Sequence, residues 1–431
     1  MSLIHGDPPL RKLFGSVYYG WIVAVGASLN SFVVVGIGFY AMAVFLDALS
    51  AERGWSRTEV SFATTLYFVT SGLVGPWVGR AVDRFGPRVA IGVGAAIMAL
   101  GLVWLGRIER PGQLAQIYPV LAIGFALASA IPSSAIVTRW FERRRAQAMS
   151  IAQTGVSVGG VVLVPLITAS LLERGLAHTT AFLAGLLCLV VWPVTALLLR
   201  NDPRAVGQSP DGQSPAESRP AFAAGELWTQ RAAARTTTFW RLVFAFSGIL
   251  FCQVGAAMHQ LSVVREHLPA EVASLALSTT AAASIIGRLI VGSFADRVDQ
   301  RVLTVGLVAL QAAAIATLGF AETAPALFLA SAAFGFTIGN VFMLQSLLVA
   351  QLFGVRSFGT VLGLVQLLTQ TASGLGPLAL GAMYAWLGYG PGLGALAGIA
   401  ALGSVALVGA RPAVAPEPDQ AGTLAPRKSG A

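Results

Sequence analysis

Residues 79–88 read Gly-Arg-Ala-Val-Asp-Arg-Phe-Gly-Pro-Arg, a charged turn between two apolar runs, and its skeleton returns later in the chain. Gly79-x-x-x-Asp83-Arg84-x-x-x-Arg88 is matched by Gly292-x-x-x-Asp296-Arg297-x-x-x-Arg301, every matched position being displaced along the chain by the same offset. Phe141, Arg144 and Pro165 return as Phe353, Arg356 and Pro377, with an offset that is shorter by a single position. Two separate loops that keep one offset to within a residue mark an internal duplication. The chain therefore reads as two copies of one unit joined near its middle.

What surrounds those turns identifies the solvent. Of 431 residues, 55% are hydrophobic and 11% charged, against roughly a quarter charged in a soluble domain. Mean hydropathy is +0.74. Twelve apolar runs, near 20–46, 58–79, 89–105, 114–138, 147–172, 179–199, 239–262, 272–292, 302–320, 325–349, 358–382 and 389–409, reach the length of about 20 residues that a helix needs to cross a bilayer. A soluble multidomain protein is excluded. The first run follows Arg11 and Lys12 and contains Ala41-Met42-Ala43, as a signal peptide would, but its length and the eleven runs behind it predict a retained span. Cys188 and Cys252 lie inside apolar runs, so the sequence offers no disulfide framework and no metal cluster.

The net charge of +9 is a record of topology. Sorting Lys and Arg by alternate connectors puts 22 on one side and 6 on the other. Because cytoplasmic loops carry the excess, both termini are expected in the cytoplasm and the whole is expected to be a multi-pass protein of the plasma (inner) membrane. No nucleic-acid partner is needed to explain the charge. The connector Asn201–Thr238 is rich in Pro, Ser, Gln and Arg and reads as a cytoplasmic linker. The expected organisation is a tail over 1–18, a six-helix bundle over 19–200, the linker over 201–238, a second six-helix bundle over 239–410 and a tail over 411–431.

Twelve helices in two parallel halves, a mid-chain linker and the turn at 79–88 together resemble the major facilitator superfamily, and the resemblance covers nearly the whole chain. Tyr19-Gly20-Trp21, Gly54-Trp55-Ser56-Arg57-Thr58-Glu59-Val60-Ser61, Trp140-Phe141-Glu142-Arg143-Arg144-Arg145 and Arg288-x-x-x-Gly292 further resemble the monocarboxylate and oxalate/formate transporter branch. The resemblance implies an all-α membrane fold, secondary transport by alternating access, a small organic anion as substrate, and a proton as a candidate coupling ion. It implies no cofactor, and a monomer is expected. Gly75 with Gly79, and Gly155 with Gly159, would let helices approach closely. Pro165 and Pro377 would permit bends.

Arg288 is the most informative position. Its counterpart in the first copy, at the offset of the repeated turn, is Gly75, so the turn does not require it. It lies eight residues before Asp296, about 12 Å along a helix. A charge inside a membrane helix costs about 2.5–3.5 kcal/mol on insertion scales and marks substrate pathways. Its planar fork suits a carboxylate, and the transporter branch places a substrate-binding arginine here. His259, near the outer end of the seventh span, is an ionisable side chain that could take a proton or bind substrate. Tyr40, Ser284, Asn340, Gln366 and Gln370, with Asn30, Tyr67, Gln153 and Gln345, are polar residues that could line a wet cavity or bond helix to helix. The resemblance assigns Asp83, Arg84, Arg88, Asp296, Arg297 and Arg301 to gating at the cytoplasmic end, where the aspartate holds the opposing bundle closed through charge pairs and a helix N-terminus.

The departures also inform. Where related proton-coupled transporters carry a lysine late in the first span, this chain has Tyr40; where they carry an aspartate one turn before the arginine, it has Ser284; where oxalate exchangers carry a second cation, it has Gln366 and Gln370. One intramembrane cation favours a monoanion over a dianion. No carboxylate is placed at the midplane, since Asp47 and Glu59 fall at the outer edge, which leaves His259 or the substrate's own carboxylate to carry a proton. An enzyme is not expected: the four histidines have no metal-ligand spacing, and no nucleophile stands beside a base. The alternative within the same class is a drug or metabolite efflux antiporter with an apolar cavity.

Overall fold

In the computed structural model the described residues are 18–42, 44–45, 49, 55, 57–212 and 227–412, with the side chains of 57–61, 270, 271 and 274 left out. The tails 1–17 and 413–431, linker residues 213–226, Gly54, Ser56, Asp47 and the side chain of Glu59 therefore lie outside the described residues.

Every regular element among the described residues is helical. Twelve membrane helices follow in order: α1 Tyr19–Tyr40, α2 Arg57–Phe85, α3 Pro87–Leu105, α4 Pro111–Trp140, α5 over 145–174, α6 over 176–198, α7 Thr237–Arg265, α8 Ala270–Phe294, α9 Gln300–Phe320, α10 Ala324–Phe353, α11 Phe358–Leu387 and α12 Tyr389–Val405. The fifth and sixth runs form one stretch, Arg145–Leu198, of 54 residues, about twice what one crossing needs. It is divided at Gly175, whose φ of 73° suits a residue without a Cβ. Gly388, its counterpart in the second copy, has φ 78° and divides α11 from α12 in the same way.

Sequence chemistry explains the other ends. Gly86 at φ 87° stops α2, and Pro87 then starts α3 at its first position, where the missing N–H costs nothing. Two helices that hydropathy reads as continuous are interrupted. α4 breaks at Ser129 between Leu114–Ala128 and Ala130–Trp140, and α10 breaks at Gly339 and Asn340 between Ala324–Ile338 and Val341–Phe353. Each break frees backbone groups in the bilayer, which must find partners inside the protein. Asn30 of α1 supplies one, donating through Nδ2 to the Ala128 carbonyl at 2.8 Å and to Ser133 Oγ at 3.2 Å.

The two copies meet on an axis the sequence offset anticipates. Ser134 of α4 and Ser346 of α10, counterparts in the repeat, are both buried and hydrogen-bond to each other at 3.2 Å. Two longer seams flank this contact, α2 against α11 and α5 against α8. The described ends of the linker are docked on the arginine-rich face, hereafter the basic face. Asp211 accepts from the backbone N–H groups of Glu142 and Arg143, and the Trp228 N–H donates to Ser357 Oγ at 3.0 Å.

Candidate functional site

Arg288 projects from α8 with 5% of its surface exposed. Its Nε–H donates to the Gly339 carbonyl at 2.8 Å, a group left free by the break in α10. Its Nη1 donates to the Gln153 carbonyl and to Ser157 Oγ, the latter at 3.2 Å. Gln153 and Ser157 belong to α5, in the other half of the molecule. The guanidinium thus spans the seam between the two bundles. Among the described residues no carboxylate pairs with it, so carbonyl dipoles and a hydroxyl balance a full charge.

Several predicted residues gather here. Ser284, one turn before Arg288, lies 3.3 Å from Ser157 Oγ and donates to the Ala281 carbonyl. Tyr40 is within electrostatic reach of Arg288, and its ring covers Gly160, where an added methyl would meet it at 2.8 Å. Asn340 is fully buried beside Gly339; its Nδ2 donates to the Phe336 carbonyl at 2.8 Å, while its Oδ1 has no hydrogen-bond partner among the described residues. Gln345, also buried, donates to Thr369 Oγ1 at 3.3 Å and leaves Oε1 without a partner among the described residues. Unpaired buried acceptors are costly, and each can receive a hydroxyl or an acid proton.

Others stand elsewhere. His259 lies between α7, α11 and the start of α12, with Nδ1 3.1 Å from Tyr389 Oη and Nε2 3.1 Å from the Pro377 carbonyl. Gln370 accepts from Ser373 Oγ at 3.2 Å and faces Gly72 across the α2–α11 seam. Gln366, also on α11, is half-buried. Tyr67 is fully buried and donates to the Gly38 carbonyl at 2.5 Å, holding the last turn of α1.

The turn residues divide by role. Asp83 accepts from the N–H groups of Gly359 and Thr360 at 3.1 and 2.7 Å, at the N-terminus of α11. Asp296 accepts from those of Ala146 and Gln147 at 2.7 and 3.1 Å, at the N-terminus of α5. The donors pair off, Ala146 with Gly359 and Gln147 with Thr360, at the same offset as the two aspartates. Each aspartate satisfies two orphan donors and meets the positive end of a helix in the opposite half. Arg84 and Arg297 are exposed on the basic face. Arg88 and Arg301 turn away from the seams to cap carbonyls, Arg88 those of Thr195 and Ala196 and Arg301 that of Ala410. Arg301 is also bound to Asp299 at 2.8 Å, and this holds the Asp299 carboxyl below the usual carboxylate range.

Sequence reasoning missed Ser157 and the Gly339 carbonyl. The repeat carried a signal for the first, since Thr369 is the counterpart of Ser157, at the offset that also relates Ser134 to Ser346, and both are buried and polar. Nothing in a residue's type announces that its carbonyl will be free.

Comparison with known proteins bears on the family and the fold. The family described as Major Facilitator Superfamily matches residues 29–268 and again 257–429. An "MFS-type transporter" of Gibberella moniliformis is 28% identical over 383 residues, spanning 86% of this chain and 84% of that protein. Monocarboxylate transporter 13 of Bos taurus is 26% identical over 366 residues, spanning 83% and 81%. Among solved structures, the proton:xylose symporter XylE superposes with a TM-score of 0.71 at 14% identity, covering 90% of this chain and 94% of that one, a likeness of fold.

Proposed function

The chain belongs to the major facilitator superfamily, and from that premise we propose that it is a secondary active transporter of small organic monocarboxylates, with Arg288 as the anion anchor. The observation that carries the reading is the buried guanidinium of Arg288, set at the junction of the two halves with no carboxylate partner among the described residues. The bovine relative, monocarboxylate transporter 13, supports the same substrate class.

The geometry suggests how binding couples to movement. A carboxylate takes two parallel charge-assisted bonds from a guanidinium, and it competes with the Gln153 carbonyl and Ser157 for Nη1. Binding withdraws Arg288 from α5, and the α5–α8 seam is then held chiefly by Asp296 at the basic end. The halves rock open there, which is alternating access. Asn340 Oδ1 and Gln345 Oε1 supply acceptors for a hydroxyl on the acid. We place both termini in the cytoplasm and the protein in the plasma membrane, from the 22 to 6 division of basic residues. A proton moving with the anion rides on the substrate's carboxylate or on His259.

Uptake of a panel of labelled acids into proteoliposomes, with and without an inward-acid pH gradient, tests the reading. Monocarboxylates should accumulate and dicarboxylates should not. Export of neutral, apolar compounds with no uptake of any acid would replace it with the efflux-antiporter reading.

A further inference from the structure

Arg88 and Arg301 occupy the same place in the repeat and do the same structural work. Arg88 donates through Nε to the Thr195 carbonyl at 2.8 Å and through Nη2 to that of Ala196 at 3.0 Å, at the end of α6; Arg301 donates through Nη1 to the Ala410 carbonyl at 2.5 Å, just after α12. Carbonyls at a helix end lack partners, and a cation there is favourable. The two copies part company over neutralisation. Asp299, two residues before Arg301, pairs with it at 2.8 Å, whereas the position two residues before Arg88 is Gly86.

Beside Arg88 stands a second cation. Arg200 donates through Nη1 to the same Ala196 carbonyl at 2.7 Å and to that of Leu199 at 2.9 Å. Sharing one acceptor puts the two guanidinium groups side by side, and Arg88 feels the charge of Arg200. The acid next in sequence, Asp202, is turned to the Arg204 N–H at 2.8 Å, and its field reaches Arg139. Tyr19 also faces Arg88, but its hydroxyl donates to the Leu197 and Leu198 carbonyls. Among the described residues no carboxylate pairs with Arg88 or Arg200.

Ala196 also belongs to a groove of about 700 Å³ on the lipid-facing side of α6, lined by Gly185, Cys188, Leu189, Trp192 and Leu197 among others. Its lining belongs to α6, and at its edge the Trp192 indole N–H donates to the Gly92 carbonyl of α3 at 3.3 Å. A methyl added at Gly92 or Gly185 would meet nothing within 4 Å. The groove is apolar, and its polar end is the arginine pair. We propose that it binds an anionic phospholipid of the basic-side leaflet, with the headgroup phosphate on Arg88 and Arg200 and an acyl chain along Leu189 and Trp192. A phosphate offers several acceptors to two adjacent guanidinium groups, and basic pockets between membrane helices are suited to such headgroups. The lipid lies on a joint, because Asn201 Oδ1 accepts from the Arg88 N–H at 3.0 Å and ties the start of α3 to the point where the linker leaves α6.

The test is native mass spectrometry of the full chain from nanodiscs of phosphatidylcholine containing a minor fraction of phosphatidylglycerol. The wild type should retain one phosphatidylglycerol in preference to phosphatidylcholine. Arg200→Gln should weaken that retention about fivefold, the effect of one basic residue near a charged headgroup. Gly185→Leu, at a position where an added Cβ would meet nothing within 4 Å, puts a side chain into the groove eleven residues from Ala196 and should weaken it to a similar degree. Arg301→Gln, in the neutralised copy, should leave it unchanged, and thermal melts of all three variants check that they fold. Retention unaltered by Arg200→Gln or by Gly185→Leu, or lost equally with Arg301→Gln, overturns the proposal.

Discussion

Two seams join the halves of this molecule, and they occupy equivalent places in the repeat while differing in the residues that line them. In the α2–α11 seam glycine faces glycine: a methyl on Gly75 would meet the Gly363 carbonyl at 2.9 Å, and Gly79 lies against Gly359. In the α5–α8 seam Gly292, the counterpart of Gly79, lies against Ser150, but the counterpart of Gly75 is Arg288, which reaches across to Gln153 and Ser157. The ends are alike, since Asp83 and Asp296 clasp equivalent N-termini. The comparison teaches that duplication supplied the clamps twice and that chemistry entered where one copy departs from the other. A dry seam packs, and a charged one can also recognise.

The comparison breaks most visibly if the difference is erased. Arg288→Gly makes the charged seam resemble the dry one, and removing a buried hydrogen-bonded charge costs its ligand about 3 kcal/mol, or roughly a hundredfold. Uptake of a monocarboxylate should fall by that factor while the thermal midpoint stays level or rises, because a membrane-buried charge has been removed. Retained uptake would mean the two seams do the same work.

Overpacking probes what they share. Gly79→Leu and Gly292→Leu each force a side chain into a closed contact, at about 1–3 kcal/mol. Both should raise labelling of single cysteines placed on the basic-face ends of α5 and α11. A response from only one variant would show that the seams do not open together.

The clamps should behave as equals. Asp83→Asn and Asp296→Asn each remove a charge from a helix N-terminus, worth about 1 kcal/mol, and the same labelling should rise about fivefold for each. A difference of more than about tenfold between them, near 1.4 kcal/mol, would deny their equivalence.

The smallest effect concerns Asp299, which has no acidic counterpart at Gly86. Its carboxyl is held low by the Arg301 bond, so the stabilisation is complete above its unfolded value of about 3.9 and is lost as pH falls through the lowered folded value. The pair is partly exposed, at 27% and 41%, and contributes a few tenths of a kcal/mol. Melting curves in acid should show Asp299→Asn lacking that decline, and identical curves would leave the pair without a measurable role.

Much of this was legible in sequence because two of its signals are discrete. A charged turn repeated at a fixed offset survives any ambiguity in hydropathy, and an arginine inside an apolar run has few explanations. What was hidden depends on backbone groups and three-dimensional neighbours. The break at Gly339 and Asn340 lies in the middle of an apolar run, so composition reads α10 as unbroken and conceals the carbonyl that Arg288 finds. Gln370, a polar residue of the kind that lines cavities, is instead placed on the dry seam opposite Gly72. His259 and Arg288 look alike as ionisable residues in apolar runs, yet one is bonded to Tyr389 and Pro377 and the other to the opposite half.

The claim that anion binding withdraws Arg288 from α5 is tested most directly by a distance across the basic face. Spin labels at the exposed positions Arg144 and Arg297, one on each half, report opening of the α5–α8 seam by double electron–electron resonance. Addition of a transported monocarboxylate should lengthen that distance in a background retaining Arg288 and leave it unchanged in Arg288→Gln. Lengthening that persists in Arg288→Gln would contradict the account.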